Sequence, residues 1–105
     1  MVTRAQIQEI ADRIVAEFDP ECIVLFGSHA EGRADTDSDV DLLVVLDFEG
    51  PAYKTAAKIR AFLPKHIALD VVARTRADVD VGHIHGDPIV RRALERGTFL
   101  HKAAA

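Results

Sequence analysis

Three aspartates are spaced so that their side chains could share divalent cations. Asp39 and Asp41 flank Val40 at the start of an apolar run, and because side chains alternate along a strand they point to one face. At roughly 6–7 Å apart, the two carboxylates repel by about 2–3 kcal/mol at an effective dielectric near 20. Asp70, inside a later apolar run, can join them, although taken alone it equally fits an exposed edge-strand carboxylate. Carboxylate oxygens are ligands for Mg²⁺, so the pattern predicts a magnesium site.

A turn before these aspartates could hold phosphate groups. Gly27 and Ser28 directly follow an apolar run, and Gly32 comes four residues after Ser28. Glycine lets the backbone bend and lets a ligand approach its amides closely. A helix starting near His29 would direct its first N–H groups at an anion. We expect a phosphate site here, although a Gly-Ser pair alone is also typical of an ordinary turn.

Spacing excludes two other sites for this stretch. A calcium-binding loop that begins at Asp35 would need glycine at its sixth position and glutamate at its twelfth. Those positions hold Val40 and Leu46. A Walker phosphate loop needs Gly-Lys-Ser/Thr, and no lysine precedes Lys54.

Charge and composition exclude several classes of protein. The formal net charge of −4 argues against nucleic-acid binding, which needs a clustered basic surface. A single cysteine, Cys22, excludes an internal disulfide and a zinc site of several thiolates, and its apolar neighbours suggest a buried, inert thiol. There is no 18-residue apolar run and the first ten residues are too polar for a signal peptide. We therefore expect a cytoplasmic protein that contacts no membrane.

The elements that position these residues can be read from periodicity and caps. A helix is predicted from the Thr3–Gln6 capping box to Pro20, and a second from Pro51 to about Leu63. Asp87 as N-cap and Gly97 as stop bound a third helix. The predicted strands are Cys22–Phe26, Val40–Leu46, Ile67–Ala73 and an edge strand Thr98–His101.

The element order predicts an α/β (α+β) fold, a small mixed sheet flanked by helices. The 105 residues, 49% of them hydrophobic, predict one domain, residues 1–105. Thr75 and Asp78 could cap a short helical turn. His83 and His85 are expected in a loop, where two histidines at i and i+2 can ligate zinc but no suitable third ligand is evident. His29 could touch a phosphate, Arg33 is expected to face solvent, and Tyr53 is expected to pack.

The arrangement Gly27-Ser28, then Gly32, then Ser38-Asp39-Val40-Asp41-Leu42, with one later strand aspartate, resembles the signature of the DNA polymerase β-like nucleotidyltransferases. The short length makes the chain similar to their minimal nucleotidyltransferase (MNT) subgroup. The resemblance covers residues 22–73, and the remainder agrees in element order. It implies that Gly27 and Ser28 hold the triphosphate of ATP, that Asp39 and Asp41 bind two Mg²⁺ ions (or Mn²⁺), and that Asp70 binds one metal and helps activate the attacking hydroxyl.

The resemblance also implies a partner. MNT proteins are commonly encoded beside HEPN-domain proteins that act as ribonuclease toxins, and several MNT antitoxins adenylylate a toxin tyrosine. The expected function is thus Mg²⁺-dependent AMP transfer from ATP to a hydroxyl of a HEPN-type toxin. Two alternatives stay open: an antitoxin that acts by binding alone, and a transferase for a small molecule whose acceptor site is completed by homo-oligomerisation.

The acceptor is expected to be held by a protein surface, because so short a chain has little left to enclose a second substrate. The segment from Thr75 to His101 lies outside the nucleotide motif and is the candidate surface. Three arginines of its last helix could meet acidic groups of a partner: Arg91, Arg92 and Arg96.

Overall fold

The computed structural model describes residues 1–104. Its helices are Arg4–Phe18 (α1), Ala52–Ala61 (α2), Arg76–His85 (α3) and Pro88–Arg96 (α4). Its strands are Cys22–Phe26 (β1), Val40–Val45 (β2), Leu69–Arg74 (β3) and Thr98–Lys102 (β4).

The strands form a four-stranded mixed sheet in the order β3-β2-β1-β4. β1 runs antiparallel to β2 and β4, whereas β2 and β3 are parallel because α2 returns the chain between them. The register places Asp41 beside Phe26 of β1 and beside Asp70 of β3. The predicted mixed α/β fold is therefore confirmed.

Helices cover both faces of the sheet and divide the core into two clusters. α1 and α2 close one face, where Ile7, Ile14 and Ile59 pack against strand residues such as Val40 and Leu42. The other face is closed by α3 and α4 and contains the second cluster: Val24, Phe26, Leu43, Val45, Val79, Val90 and Ala93. Strand alternation puts Asp41 on the second face, the one that carries Leu43.

Local signals set the helix ends much as the sequence predicts. The Thr3 hydroxyl accepts a hydrogen bond from the Gln6 N–H at 3.1 Å, and the Gln6 side chain accepts one from the Thr3 N–H at 2.8 Å. Asp87 caps α4 by accepting from the N–H groups of Ile89 and Val90. Pro51 is the N-cap of α2 rather than its first helical residue, and that helix ends at Ala61.

The prediction of a loop around His83 and His85 is wrong, because both residues lie in the last turn of the ten-residue helix α3. Thr75 caps this helix by accepting from the Asp78 N–H at 3.1 Å. Gly82 looks like a helix breaker but serves close packing, since a Cβ atom there would lie 2.9 Å from the Asp87 Cβ. The glycine thus lets α3 and α4 approach each other on the second face of the sheet.

No helix in the described part of the chain is both long enough and apolar enough to cross a membrane.

Two valines on α3 offer a matched test of this packing. Val79 is 8% exposed in the second core cluster, whereas Val81 is 57% exposed. Val79→Ala removes two buried methyl groups, so we expect a loss of about 1.6 kcal/mol or more. That corresponds to a fall in Tm of roughly 6–13 °C in thermal unfolding followed by circular dichroism.

Val81→Ala is the control, with an expected change in unfolding free energy within about 0.5 kcal/mol. Equal losses in the two variants would contradict the orientation of α3.

Candidate functional site

The parallel pairing of β2 with β3 brings two aspartates side by side. Asp41 and Asp70 are register partners on neighbouring strands, so both side chains lie on the face covered by α3 and α4. Asp39 directly precedes β2. Asp41 is half-buried, whereas Asp39 and Asp70 are exposed. The three predicted aspartates therefore lie at one end of the sheet, where β2 and β3 begin.

Burial and the surrounding charges shift the pKa of Asp41. Its pKa is raised from the usual range, first by burial and then by the negative charges of Asp70 and Asp39. Arg92 and His29 act in the opposite direction and lower that pKa. All four groups therefore lie close enough to Asp41 for their charges to affect its ionisation.

The aspartates do not form a ready-made metal cage. Within residues 1–104, no group of three or more His, Cys, Asp or Glu side chains is arranged to hold a metal ion. Mg²⁺ needs no such cage, because it commonly takes one or two carboxylates together with substrate phosphate oxygens and water. The oxygen donors of Asp41 and its two neighbours match this chemistry.

Gly27 fits closely against Asp41. It follows β1 with a φ of +76°, a left-handed conformation that favours glycine. A Cβ atom at this position would collide with Oδ2 of Asp41. The absence of a side chain thus lets the end of β1 approach the carboxylate. The next residue, Ser28, is half-buried.

The segment after Ser28 is a series of turns rather than the predicted helix. The N–H groups of Ala30 and Glu31 both donate to the Gly27 carbonyl oxygen, at 3.1 and 3.0 Å. Arg33 N–H closes the turn onto the Ser28 carbonyl oxygen at 2.9 Å. A helix N-terminus therefore does not form here, and the segment folds tightly beside Gly27.

A second turn delivers Asp39 to the site. The Asp35 carboxylate accepts from the Asp37 N–H at 2.9 Å and from the Ser38 hydroxyl at 3.2 Å. Nε2 of His29 lies 3.3 Å from the Ser38 carbonyl oxygen, a hydrogen bond in the tautomer that carries its proton on Nε2. These bonds give Asp35 and His29 structural roles in the loop before β2.

Two arginines of the last helix, α4, also lie beside the turn that follows Gly27. Arg92 and Arg96 on α4, two of the arginines that could meet acidic groups of a partner, both contact Glu31 in the turn after Gly27. The hydrogen bond from Arg92 is the main cause that lowers the pKa of Glu31. The sequence gives only a weak indication of the contact between Glu31 and Arg92, because 61 residues separate them.

Other expectations had mixed outcomes. Tyr53 is 71% exposed rather than packed. Arg33 is mostly exposed, as expected, and also pairs with Glu31 at 3.6 Å. Cys22 is only partly buried, and this burial raises the pKa of its thiol, which keeps the less reactive protonated form.

The cavity with the largest volume among those described does not contain the aspartates. A cavity of about 370 Å³ lies at the opposite end of β1 and β2, beside Cys22, Val45 and Arg76. Its lining includes neither the Gly27-Ser28 turn nor the three aspartates. The carboxylates and the Gly27-Ser28 turn therefore define the candidate site, and the size of a cavity does not.

Comparison with known proteins identifies the type of domain. A family model described as "Nucleotidyltransferase domain" matches residues 7–100, a range that includes every candidate site residue. No curated protein sequence matches the chain significantly.

Solved structures share the fold. A candidate nucleotidyltransferase from Sulfolobus solfataricus superposes with a TM-score of 0.65 at 20% identity, over 91% of this chain and 77% of that chain. A toxin–antitoxin complex with AMP-PNP gives a TM-score of 0.58 at 20% identity, over 91% of this chain and 73% of the other. A complex of tri-AMPylated HEPN toxin from Shewanella oneidensis with its MNT antitoxin gives 0.55 at 16% identity, over 96% and 74%.

The raised pKa of Asp41 predicts a stability that depends on pH. A carboxyl whose pKa is higher in the folded state favours folding at low pH, and this contribution is lost as pH rises through the folded pKa. Asp41→Asn should therefore stabilise the metal-free protein at pH 7, by about 0.2–1 kcal/mol if like charges opposite each other in a sheet set the scale. We expect a rise in Tm of roughly 1–8 °C.

At about pH 3 Asp41 is protonated in the folded state and largely so in the unfolded state, so the difference between variant and parent should shrink. A lower Tm for Asp41→Asn at pH 7 in metal-free buffer would show that the carboxylate stabilises the fold.

Two glycines with similar backbone conformations test the contact with Asp41. Gly27 and Gly32 have φ values of +76° and +73°, but a Cβ atom at Gly32 would have no heavy atom within 4 Å. Alanine at either position should cost about 1–2 kcal/mol of backbone strain, measured by urea unfolding. Only Gly27→Ala should also collide with the Asp41 carboxylate, so it should lose more unfolding free energy than Gly32→Ala.

Equal losses of unfolding free energy in Gly27→Ala and Gly32→Ala would refute this contact.

Proposed function

Since the chain belongs to the nucleotidyltransferase domain family, we propose that it transfers AMP from ATP to a tyrosine hydroxyl of a partner protein and depends on Mg²⁺. The partner is a HEPN-type toxin, which the transfer silences. The chain then acts as the antitoxin of the pair.

The observation that carries this proposal is the register of β2 and β3. It places Asp41 next to Asp70 on one face, with Asp39 one position before the strand and Gly27 against the Asp41 carboxylate. In this assignment Asp39 and Asp41 hold two Mg²⁺ ions and Asp70 contributes to one. Bound Mg²⁺ supplies positive charge that stabilises the attacking and leaving oxygens of an in-line displacement.

The reaction proposed for this site needs positioning more than covalent chemistry. The acceptor oxygen forms a bond to the α-phosphorus of ATP, and the bond from that phosphorus to the bridging oxygen of the β-phosphate breaks. Pyrophosphate leaves with the electron pair, and Asp70, which is exposed at the edge of the sheet, accepts the hydroxyl proton. Ser28 and Gly27 contact the triphosphate.

The partner assignment is supported by the neighbours of the fold and by one exposed surface. The structures that share this fold include toxin–antitoxin complexes. On α3, Val81 and Ile84 are 57% and 72% exposed, three residues apart on one side of the helix. This apolar surface lies in the segment from Thr75 to His101 that the sequence assigns to the partner, and we propose that it contributes to docking.

The experiment combines this chain with the protein that the neighbouring reading frame encodes, which the proposal requires to be of the HEPN type. The two purified proteins are incubated with ATP and Mg²⁺, and the intact mass of the partner is measured. We expect mass increments of one or more AMP units. Asp39→Asn and Asp41→Asn should lose Mg²⁺-dependent ATP binding as well as transfer. Asp70→Asn should keep most of the ATP affinity and lose most of the transfer rate, because its role is tied to the acceptor.

The control is Asp47→Asn, which changes an exposed carboxylate beyond the opposite end of β2 and should transfer AMP as the parent does. Partner inhibition without any mass change, equal in the parent and in Asp39→Asn, would instead establish an antitoxin that acts by binding. An AMP group transferred to a small molecule and not to the partner would establish the third function.

A further inference from the structure

One carboxylate gathers three arginines from two separate parts of the chain. Glu31 contacts Arg92 at 2.9 Å, Arg96 at 3.6 Å and Arg33 at 3.6 Å. The Glu31 side chain is only 15% exposed, whereas the arginines are 46–69% exposed. Glu31 is thus the enclosed centre of the group, and the guanidinium groups surround it.

The arginine group lies beside the Gly27-Ser28 turn. The Glu31 N–H donates to the Gly27 carbonyl oxygen at 3.0 Å, which ties Glu31 to the end of β1. α4 packs on the same face of the sheet through Val90 and Ala93, in the cluster that contains Phe26. Arg92 therefore extends from α4 towards the turn that flanks Asp41, and its charge also acts on Asp41.

The charges within this group do not cancel. In the part of the chain that the structure describes, three guanidinium groups share the Glu31 carboxylate, which leaves two positive charges in excess. Arg92 uses Nε and Nη2 for a single oxygen, Oε2 of Glu31, so its Nη1 group is not part of that contact. A guanidinium with free N–H donors is well suited to a phosphate group.

We propose that Arg92, positioned by Glu31, binds the β- and γ-phosphates of the nucleotide. This inference rests on the proposed function and names a residue for it outside the family signature, on the last helix. In this arrangement Asp39, Asp41 and Asp70 hold the metal ions, and Arg92 lies on the helix that covers the same face of the sheet. The triphosphate of the nucleotide then extends from the metal ions to Arg92.

The test compares nucleotides that differ only in their phosphates. Affinities of ATP, ADP and AMP are measured by calorimetry with Mg²⁺ for the parent, Arg92→Gln and Arg92→Lys. Loss of one charged phosphate contact should weaken ATP binding about tenfold or more and change AMP binding less than about twofold. Arg92→Lys keeps the charge but loses the planar fork, so it should bind ATP with intermediate affinity.

Arg91→Gln is the matched control on the same helix, because Arg91 donates to the His83 carbonyl oxygen and not to Glu31. It should bind all three nucleotides as the parent does. Glu31→Ala tests the positioning role. By charge alone this change should tighten anion binding, whereas loss of the anchor for Arg92 should lower the ratio of ATP to AMP affinity.

The outcomes separate this inference from the function beneath it. If Asp41→Asn loses Mg²⁺-ATP binding while Arg92→Gln keeps it with a lower Tm, the arginines only brace the turn and the inference is wrong. A ratio of ATP to AMP affinity that does not fall in Glu31→Ala would also overturn the positioning role. A parent protein that binds no ATP in the presence of Mg²⁺ would overturn both the inference and the proposed function.

Discussion

Two like charges held beside each other by the backbone are the constraint to which the rest of this structure responds. The parallel pairing of β2 and β3 fixes Asp41 next to Asp70, and neither side chain can leave without a change of register. A one-residue slip of β3 would move Asp70 to the opposite face and would exchange the faces on which Val71 and Val72 pack. The apolar residues of these strands therefore enforce a charge arrangement that is unfavourable by itself.

Positive charges near Asp41 offset the repulsion from its neighbouring carboxylates only in part. Arg92 and His29 lower the pKa of Asp41, but burial and the two neighbouring aspartates have the larger effect and the pKa stays raised. Gly27 leaves room for the carboxylate where any other residue would displace it. The fold thus preserves a region that favours a cation, at some cost in stability, in a domain with a small core.

Much of this could be predicted from the sequence because local signals agree with the fold. The Thr3–Gln6 capping box, the apolar runs of β1 and β2, and the Asp-x-Asp spacing are all short-range features, and each locates an element or a residue. The extent of α3 could not be predicted, because Gly82 disfavours a helix locally and is required by the contact with Asp87. The contact between Glu31 and Arg92 is also a tertiary event, which no spacing rule connects.

The position of β3 at the edge of the sheet has a consequence for side reactions. Asp70 is exposed on this terminal strand, so water reaches the same carboxylate that is proposed to activate the acceptor. Bulk water is a nucleophile in vast excess over any protein hydroxyl. A transferase of this shape therefore risks consuming ATP by hydrolysis until an acceptor covers the edge strand and excludes the solvent. Docking of the acceptor would then protect the nucleotide as well as supply the hydroxyl.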